Sequence, residues 1–362
     1  MAYTTIKKPT DYFNIVTYTG DGNATQAITN TFQTDFSWIK DRGVTAAHTL
    51  QDAVRGFSES KKLSSNTADS ENNASGATWG DYGGVSAVGA TSFTVEKGSQ
   101  TPYQTNANGS NYVAWNWKAG TTGSGTTTGS GTGKAYSYSV NTTSGFSIVK
   151  YGGNSTQGHT IPHHLGAVPE CIIIKKLDGV AKDWRIYHKG VPSANTRAMR
   201  LNSTDYYNTD TQYWSDTTPT STVFTLGTDD DVNNGSQQYI AYCFSSITGY
   251  SKFGSYTGNN NADGTFVYTG FKPAFVIIKS SSNSSTWHLA DNKRIGYNPL
   301  NYRLQPNNNN AEYTGSAIYS DFLSNGFKLR NSDTDTNGAR TYIYMAFGQS
   351  LIGSNNVPCT AR

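Results

Sequence analysis

The sequence predicts an all-β chain of three tandem antiparallel β-sandwich domains, of jelly-roll or concanavalin-like type, and three observations predict it. The composition is rich in strand and turn formers, one ordered set of strand markers recurs three times, and the recurring segments alternate with period two. Of 362 residues, 24 are Tyr and 37 are Gly, and the charged fraction is only 15%. Tyr, Thr, Val and Ile suit a pleated, half-buried surface, while Gly, Asn and Asp suit the bends between strands. Leu, Glu, Lys and Ala are not clustered at helical spacing. A disordered chain would be poor in aromatics and high in net charge; here aromatics make up 13% and the net charge is +3. So small a charge, with Lys and Arg scattered, gives no electrostatic case for nucleic acid.

Each copy opens with an aromatic-led strand ending in Tyr and a Gly/Asn turn. These read FNIVTYTGDGN from Phe13, FSIVKYGGNS from Phe146 and FGSYTGNNN from Phe253. A second strand follows and ends in Lys, so that Tyr18, Tyr151 and Tyr256 pair with Lys40, Lys175 and Lys279 at nearly constant spacing. The third element runs from His48 to Asp52, from Trp184 to His188 and from Trp287 to Asp291, alternating bulky and polar residues as a strand does. A further apolar strand begins at Phe93, Phe224 or Phe327. An Asn/Gly turn comes next (NANGSN, VNNGSQ, DTNGAR). The closing strands YVAWNW, YIAYCF and YIYMAF begin at Tyr112, Tyr239 and Tyr342. Short strands with turn signals between them suit antiparallel sandwiches. The unbroken apolar runs from Cys171 to Ile174 and from Phe275 to Ile278 predict strands at sheet centres, shielded on both faces.

The copies place a first sandwich at residues 1–118, a second at 137–248 and a third at 249–351, with a tail at 352–362. Residues 119–136 contain the Gly/Ser/Thr run AGTTGSGTTTGSGTGK, which has nothing of its own to bury and is expected to be a flexible linker. Copy one should therefore be hinged, while copies two and three, joined from Ser245 to Tyr250, should pack rigidly. Cys171, Cys243 and Cys359 have no metal or redox spacing, and the first two sit in apolar runs, so they are expected as free thiols in a reducing compartment. No stretch is apolar enough for a membrane span, and MAYTTIKKPTDYF lacks the core of a signal peptide.

The segments TTIKKPTDYFNIVTYTGDG, WIKDR, YVAWNWKAG, SKFGSYTG, FVYTGFKPAFVIIK, DNKR, DFLSNGFKLR and YIYMAF resemble a family of virion-associated proteins of tailed phages of marine bacteria, cyanophages included. The resemblance covers nearly the whole chain. It implies a structural or tail-fibre protein located in the virion and assembled in the host cytoplasm, with lectin-like sandwiches and other virion proteins as partners. By family analogy it also implies a homo-oligomer such as a trimer. It supplies no catalytic residues.

The residues themselves point the same way. Glu occurs only at Glu59, Glu71, Glu96, Glu170 and Glu312, without the closely spaced acids of a glycanase. No GxSxG turn stands out. No catalytic role, metal or cofactor is therefore assigned, and a polysaccharide depolymerase is the least favoured reading. His159, His163 and His164 could ligate a metal but read as a polar loop around Pro162. Asp229, Asp230 and Asp231 with Asn233 and Asn234 could hold calcium but read as a turn. Asp52 with Arg55, and Asp291 with Arg294, could clamp a ligand but read as structural ion pairs, absent from copy two where His188 stands. Trp79, Tyr206, Tyr207 and Trp214 lie in polar, turn-rich stretches and are the candidates for stacking on a host-surface glycan. Trp115, Trp117, Trp184 and Trp287 lie on alternating strands and read as core. The expected function is a tail fibre or other appendage in host attachment. A capsid-decorating or tail-assembly protein without a receptor role is the alternative.

Overall fold

The computed structural model describes residues 5–71, 79–315 and 320–349 of the chain. Copy one contributes β1 (Phe13–Thr19), β2 (Thr25–Thr29), β3 (Phe36–Asp41), β4 (Thr49–Asp52), β5 (Gly84–Gly89), β6 (Ser92–Glu96) and β7 (Asn111–Trp117). Then come β8 (Thr121–Thr126), β9 (Thr128–Gly129) and β10 (Ala135–Asn141). Copy two contributes β11 (Phe146–Gly152), β12 (His159–Pro162), β13 (Cys171–Lys176), β14 (Arg185–His188), β15 (Arg197–Arg200), β16 (Asn208–Thr209), β17 (Val223–Leu226) and β18 (Gln238–Phe244). Copy three contributes β19 (Ser251–Thr257), β20 (Phe266–Tyr268), β21 (Pro273–Ser280), β22 (His288–Asp291), β23 (Ser320–Leu323), β24 (Gly326–Leu329) and β25 (Thr341–Gly348). The chain is all-β, with antiparallel sheets.

Each copy builds the same main sheet: β1-β7-β3-β4, β11-β18-β13-β14 and β19-β25-β21-β22. A small sheet lies against it: β2-β6-β5, β17-β12-β9 or β20-β24-β23. The marker tyrosines stack on the tyrosine that opens each closing strand. Tyr18 lies 5.0 Å from Tyr112, Tyr151 lies 5.3 Å from Tyr239 and Tyr256 lies 5.1 Å from Tyr342. Beside each pair sits a fully buried asparagine: Asn106, Asn233 or Asn337. Its Oδ1 accepts from the backbone N–H of Asp21, Asn154 or Asn259, and its Nδ2 donates to the carbonyl of Asn23, Thr156 or Asn261. This side chain satisfies the turn after the first strand, which has no ladder partner. Only glycine fits at Gly20, Gly153 and Gly258, where a Cβ would lie 2.2, 2.2 and 2.1 Å from a carbonyl oxygen of the closing turn.

Both faces of the main sheets are covered. In the closing strands Tyr112 and Ala114, or Tyr342, Tyr344 and Ala346, face the small sheet of their own copy. The alternate residues Val113, Trp115 and Trp117, or Ile343, Met345 and Phe347, enter one core shared with copy two. At its centre the last aromatics of the closing strands meet: Trp117 lies 5.7 Å from Phe347 and 6.4 Å from Phe244, and Phe244 lies 6.0 Å from Phe347. The three copies thus close around a pseudo-threefold axis of aromatic rings. The runs Cys171–Ile174 and Phe275–Ile278 occupy inner strands and are buried throughout, which explains their lack of a polar face.

Two expectations are corrected. Residues 119–136 do not form a flexible linker. Strand β8 pairs with β10 and extends the second main sheet, and β9 pairs with β12. Gly123 and Gly125 stand opposite Tyr138 and Tyr136. A Cβ there would come within 2.6 and 2.9 Å of those tyrosine side chains, so the alternating glycines clear a floor on which the rings lie. Nor is copy one hinged. Its Phe36 stacks 4.4 Å from Tyr242 of copy two, and its Phe13 packs 4.9 Å from Phe347 of copy three. The tail at 352–362, with Cys359, lies outside the described residues. Cys171 and Cys243 are buried free thiols.

Polar contacts repeat the cycle. Trp184 of copy two donates to the carbonyl of Ser64 in copy one, and Trp287 of copy three to that of Arg200 in copy two. His48, at the matching position, reaches Gln305 of copy three at 3.1 Å. Two marker lysines also cross over: Lys175 donates to Ala68 and Lys279 to Thr204. A second cycle runs through the ion pairs. The Asp52–Arg55 pair receives the Tyr242 hydroxyl, which donates to Asp52 at 2.8 Å. The Asp291–Arg294 pair receives the Trp115 indole, which donates to Asp291 at 3.0 Å. Copy two must face Met345 of copy three, which has no donor. There His188 replaces the aspartate, and its Nε2 meets the Tyr344 carbonyl at 3.1 Å. The loss of the pair from copy two is therefore a matched change on both sides of the contact. Glu71 and Glu312 complete the guanidinium shells of Arg55 and Arg294.

The closure makes two testable statements. Nδ1 of His48 accepts from the Trp38 indole, that of His163 from the Leu165 N–H and that of His188 from the Gly190 N–H. Each ring's Nε2 faces a carbonyl, so all three imidazoles are neutral. Burial pulls them down to about 3, about 4 and about 4. As pH falls below about 6.5, the unfolded chain binds protons that the folded chain refuses, so stability is full above that pH and declines toward pH 4. Urea unfolding at about pH 7 and about pH 5 should show this loss, and equal stabilities would contradict it. Asp52→Asn leaves Arg55 buried with Glu71 as its remaining ionic partner and is expected to cost about 3–5 kcal/mol. Tyr242→Phe should cost about 1–3 kcal/mol, and the two should be non-additive in a double-mutant cycle. Small, additive costs would mean that the cross-copy contact is not coupled.

Candidate functional site

The position that opens the third main-sheet strand faces the closing turn in every copy, and its chemistry differs each time. In copy one Thr49 donates to Gln104 at 3.2 Å, and Lys62 donates to the same amide oxygen at 2.8 Å. In copy two Arg185 pairs with Asp231, and its guanidinium lies 4.4 Å over the Tyr213 ring. Both arrangements are saturated. In copy three His288 stands across from Asp335, with Nε2 3.3 Å from a carboxylate oxygen but out of line for a hydrogen bond.

Copy three also keeps a small cavity here, of about 30 Å³, between main sheet and small sheet. Val276, Ile278, Leu300 and Leu329 form its apolar walls, and His288 and Arg303 bring the polar groups. His288 is 5% exposed, and among the described residues its Nδ1 has no hydrogen-bond partner. The buried Nε and Nη1 of Arg303 likewise lack an acceptor there. The guanidinium lies 3.9 Å over the Tyr313 ring, which is 40% exposed at the surface. Burial lowers the pKa of Arg303, offset in part by Tyr313, Asp333 and Asp335. Burial also lowers that of His288, and the nearby Asp335 carboxylate opposes the shift. The site is a small, mostly apolar cavity whose lining includes His288 and Arg303, while Asp335 contacts His288 and Tyr313 contacts Arg303 from outside that lining. Polar groups left unpaired in such a place are costly unless something fills it.

The glycan candidates are scattered by comparison. Trp214 is buried, and its indole donates to the Arg197 carbonyl at 2.9 Å, so it packs the body of copy two and offers no ring to a ligand. The turn-rich composition around Trp214 hid a short helix, Thr211–Trp214, that points its last side chains inward. Tyr207 lies under the Arg197 guanidinium at 4.2 Å, and Tyr206 meets it edge-on with about half its surface exposed. Trp79 begins a short 3-10 turn, Trp79–Tyr82, and its side chain lies outside the described residues.

The other clusters are occupied by their neighbours. His159 contacts Asn233 and Thr127, His163 contacts Thr220, and His164 stacks 3.7 Å from Tyr138. Asp229 caps the turn at Asp231, Asp230 pairs with Lys176 and Lys182, and Asp231 with Arg185. Among the described residues no three metal-ligating side chains converge. Trp115, Trp117, Trp184 and Trp287 are core, as their alternation suggests. His288, Arg303, Tyr313 and Asp335 were not singled out from the sequence. The available signal was the aligned trio Thr49, Arg185 and His288, where the repeat is regular on both sides and the polar residue changes.

No curated protein and no solved structure matches the chain. A family described as a domain of unknown function (DUF7483) matches residues 8–350. That span takes in all three copies and the strands between them, and the chain belongs to this family.

Proposed function

We propose that the chain is a structural protein of a virus particle, a tail-fibre or other surface-appendage component that contributes to host attachment. The sequence resemblance to virion-associated phage proteins motivates the reading, and one observation carries its physical side. Three copies of one sandwich close on a common aromatic core, and the buried charges of Asp52, Arg55, Lys175, Lys279 and Asp291 bond across to a neighbouring copy. A body so built is suited to bearing load and presenting loops, which are the tasks of an appendage. Its polar, low-charge surface favours many weak contacts, which a multimeric particle converts into avidity. No helix among the described residues is long and apolar enough to cross a membrane.

Antibody labelling of purified particles, together with mass spectrometry of the same particles, tests this. Label confined to the tail or to vertex appendages, at few copies per particle, is the expected result. Even, dense label over the capsid would replace attachment by decoration, and absence of the chain from particles would overturn the proposal.

A further inference from the structure

The outer face of the small sheet differs in copy three. Its edge strand β20 turns Phe266 and Tyr268 outward, 42% and 59% exposed. Val267 pairs with Phe327 as Ile28 pairs with Phe93 and Ile161 with Phe224. In that register the residues matching Phe266 and Tyr268 are Ala27 and Thr29 in copy one, and Thr160 and Pro162 in copy two. Two large rings thus stand in solvent where the other copies keep small side chains. A Cβ at Gly326 would lie 2.9 and 3.0 Å from Cε2 and Cζ of Phe266. Those atoms form the far edge of the ring, so the ring leans across the sheet over the glycine. Tyr138 lies over Gly123 in the same way, but His164 covers it at 3.7 Å. Lys252 donates to the Tyr268 carbonyl at 2.9 Å and holds one side of that ring, with its ammonium 5.1 Å from the ring centre. Lys328 stands directly across from Phe266 and pairs with Asp263 at 2.8 Å. Arg330 pairs with Asp321 at 2.6 Å and lies 3.8 Å from Asp263. These four rim charges cancel, and Lys252 leaves one unit over.

Nucleic acid needs a strong positive field, which so balanced a rim does not give. A stable protein interface needs about 800 Å² from each partner. Two aromatic side chains supply at most about 500 Å² between them. What fits is a small neutral unit with a flat apolar face for the ring and polar groups around its edge for the rim. We infer that this face binds the neutral pyranose units of a polysaccharide. A pyranose presents axial C–H groups on one face and hydroxyls around its perimeter. One unit covers Phe266, with its hydroxyls toward Asp263, Lys328 and Arg330. The Cβ atoms of Phe266 and Tyr268 stand about 7 Å apart on an extended strand, so the next unit reaches Tyr268. The attachment role proposed above supplies only the biological purpose of this binding.

The test applies the full chain to a printed array of neutral, amino and acidic oligosaccharides, followed by titration calorimetry with the neutral member that binds most strongly. Neutral members should give the strongest signals. Phe266→Ala and Tyr268→Ala should each weaken binding about tenfold, the loss of one stacking surface. Phe266→Tyr keeps the ring and should keep the affinity. Val180→Ser removes an exposed apolar side chain of copy two and should change nothing. Both rings are exposed, so neither alanine variant should unfold, and thermal melting of each checks this. No saccharide binding, a preference for amino or acidic members, or undiminished binding by Phe266→Ala would overturn the inference. So would light scattering that shows self-association of the wild-type chain abolished by Phe266→Ala, because a second copy would then be the occupant. These measurements need no particle, so their failure is distinct from a failure of the virion assignment.

Discussion

The contact on which the structure depends is the meeting of Trp117, Phe244 and Phe347 at the centre of the chain. Each is the last aromatic of a closing strand. That strand lies at the middle of a main sheet, so placing its end on the axis fixes the position of the whole sheet. Around the triangle, Phe13, Phe36, Phe146, Phe253 and Phe275 add a second ring of aromatics drawn from all three copies. Aromatic side chains bury large areas and pack in preferred tilted or edge-on geometries, so such a cluster sets both the strength and the orientation of the association. A copy cut free would expose the aromatic face of its main sheet to water.

With the axis fixed, the polar contacts become local solutions to a shared geometry. The cross-copy position is filled by Tyr242, Trp115 or Met345, and the residue opposite it by Asp52, Asp291 or His188. Asp accepts from the hydroxyl or the indole, and where Met345 offers neither, histidine donates to a backbone carbonyl instead. The pairing of residue types follows hydrogen-bond inventory. The pocket in copy three comes from the same freedom. Where copies one and two fill the corresponding position with internal bonds, copy three keeps a cavity.

Much of the fold was legible in the sequence because period-two alternation and turn chemistry are local. The marker tyrosines, the Asn/Gly turns and the closing strands all take the same structural positions in each copy. What was not legible is long-range. The segment YVAWNW has no polar face, a sign that its sheet is covered on both sides, yet nothing local says that the second cover is another copy. Residues 119–136 were misread for a related reason. A run of Gly, Ser and Thr buries nothing of its own, and its order comes from Tyr136 and Tyr138 lying over Gly123 and Gly125. Trp214 was misread because turn-rich surroundings do not say which way a side chain points. The cavity residues are spread from Val276 through His288 and Arg303 to Leu329, and only closure of the sheets brings them together.

A shared core makes the chain one cooperative body, and native-state hydrogen exchange of the whole chain tests that most directly. The prediction is that the inner strands of all three copies, Phe36–Asp41, Cys171–Lys176 and Pro273–Ser280, exchange with one common opening free energy and lose protection together as denaturant is added. Protection that vanishes first from one copy while the other two remain intact would show that the copies are separate domains and that the aromatic centre does not bind them into one.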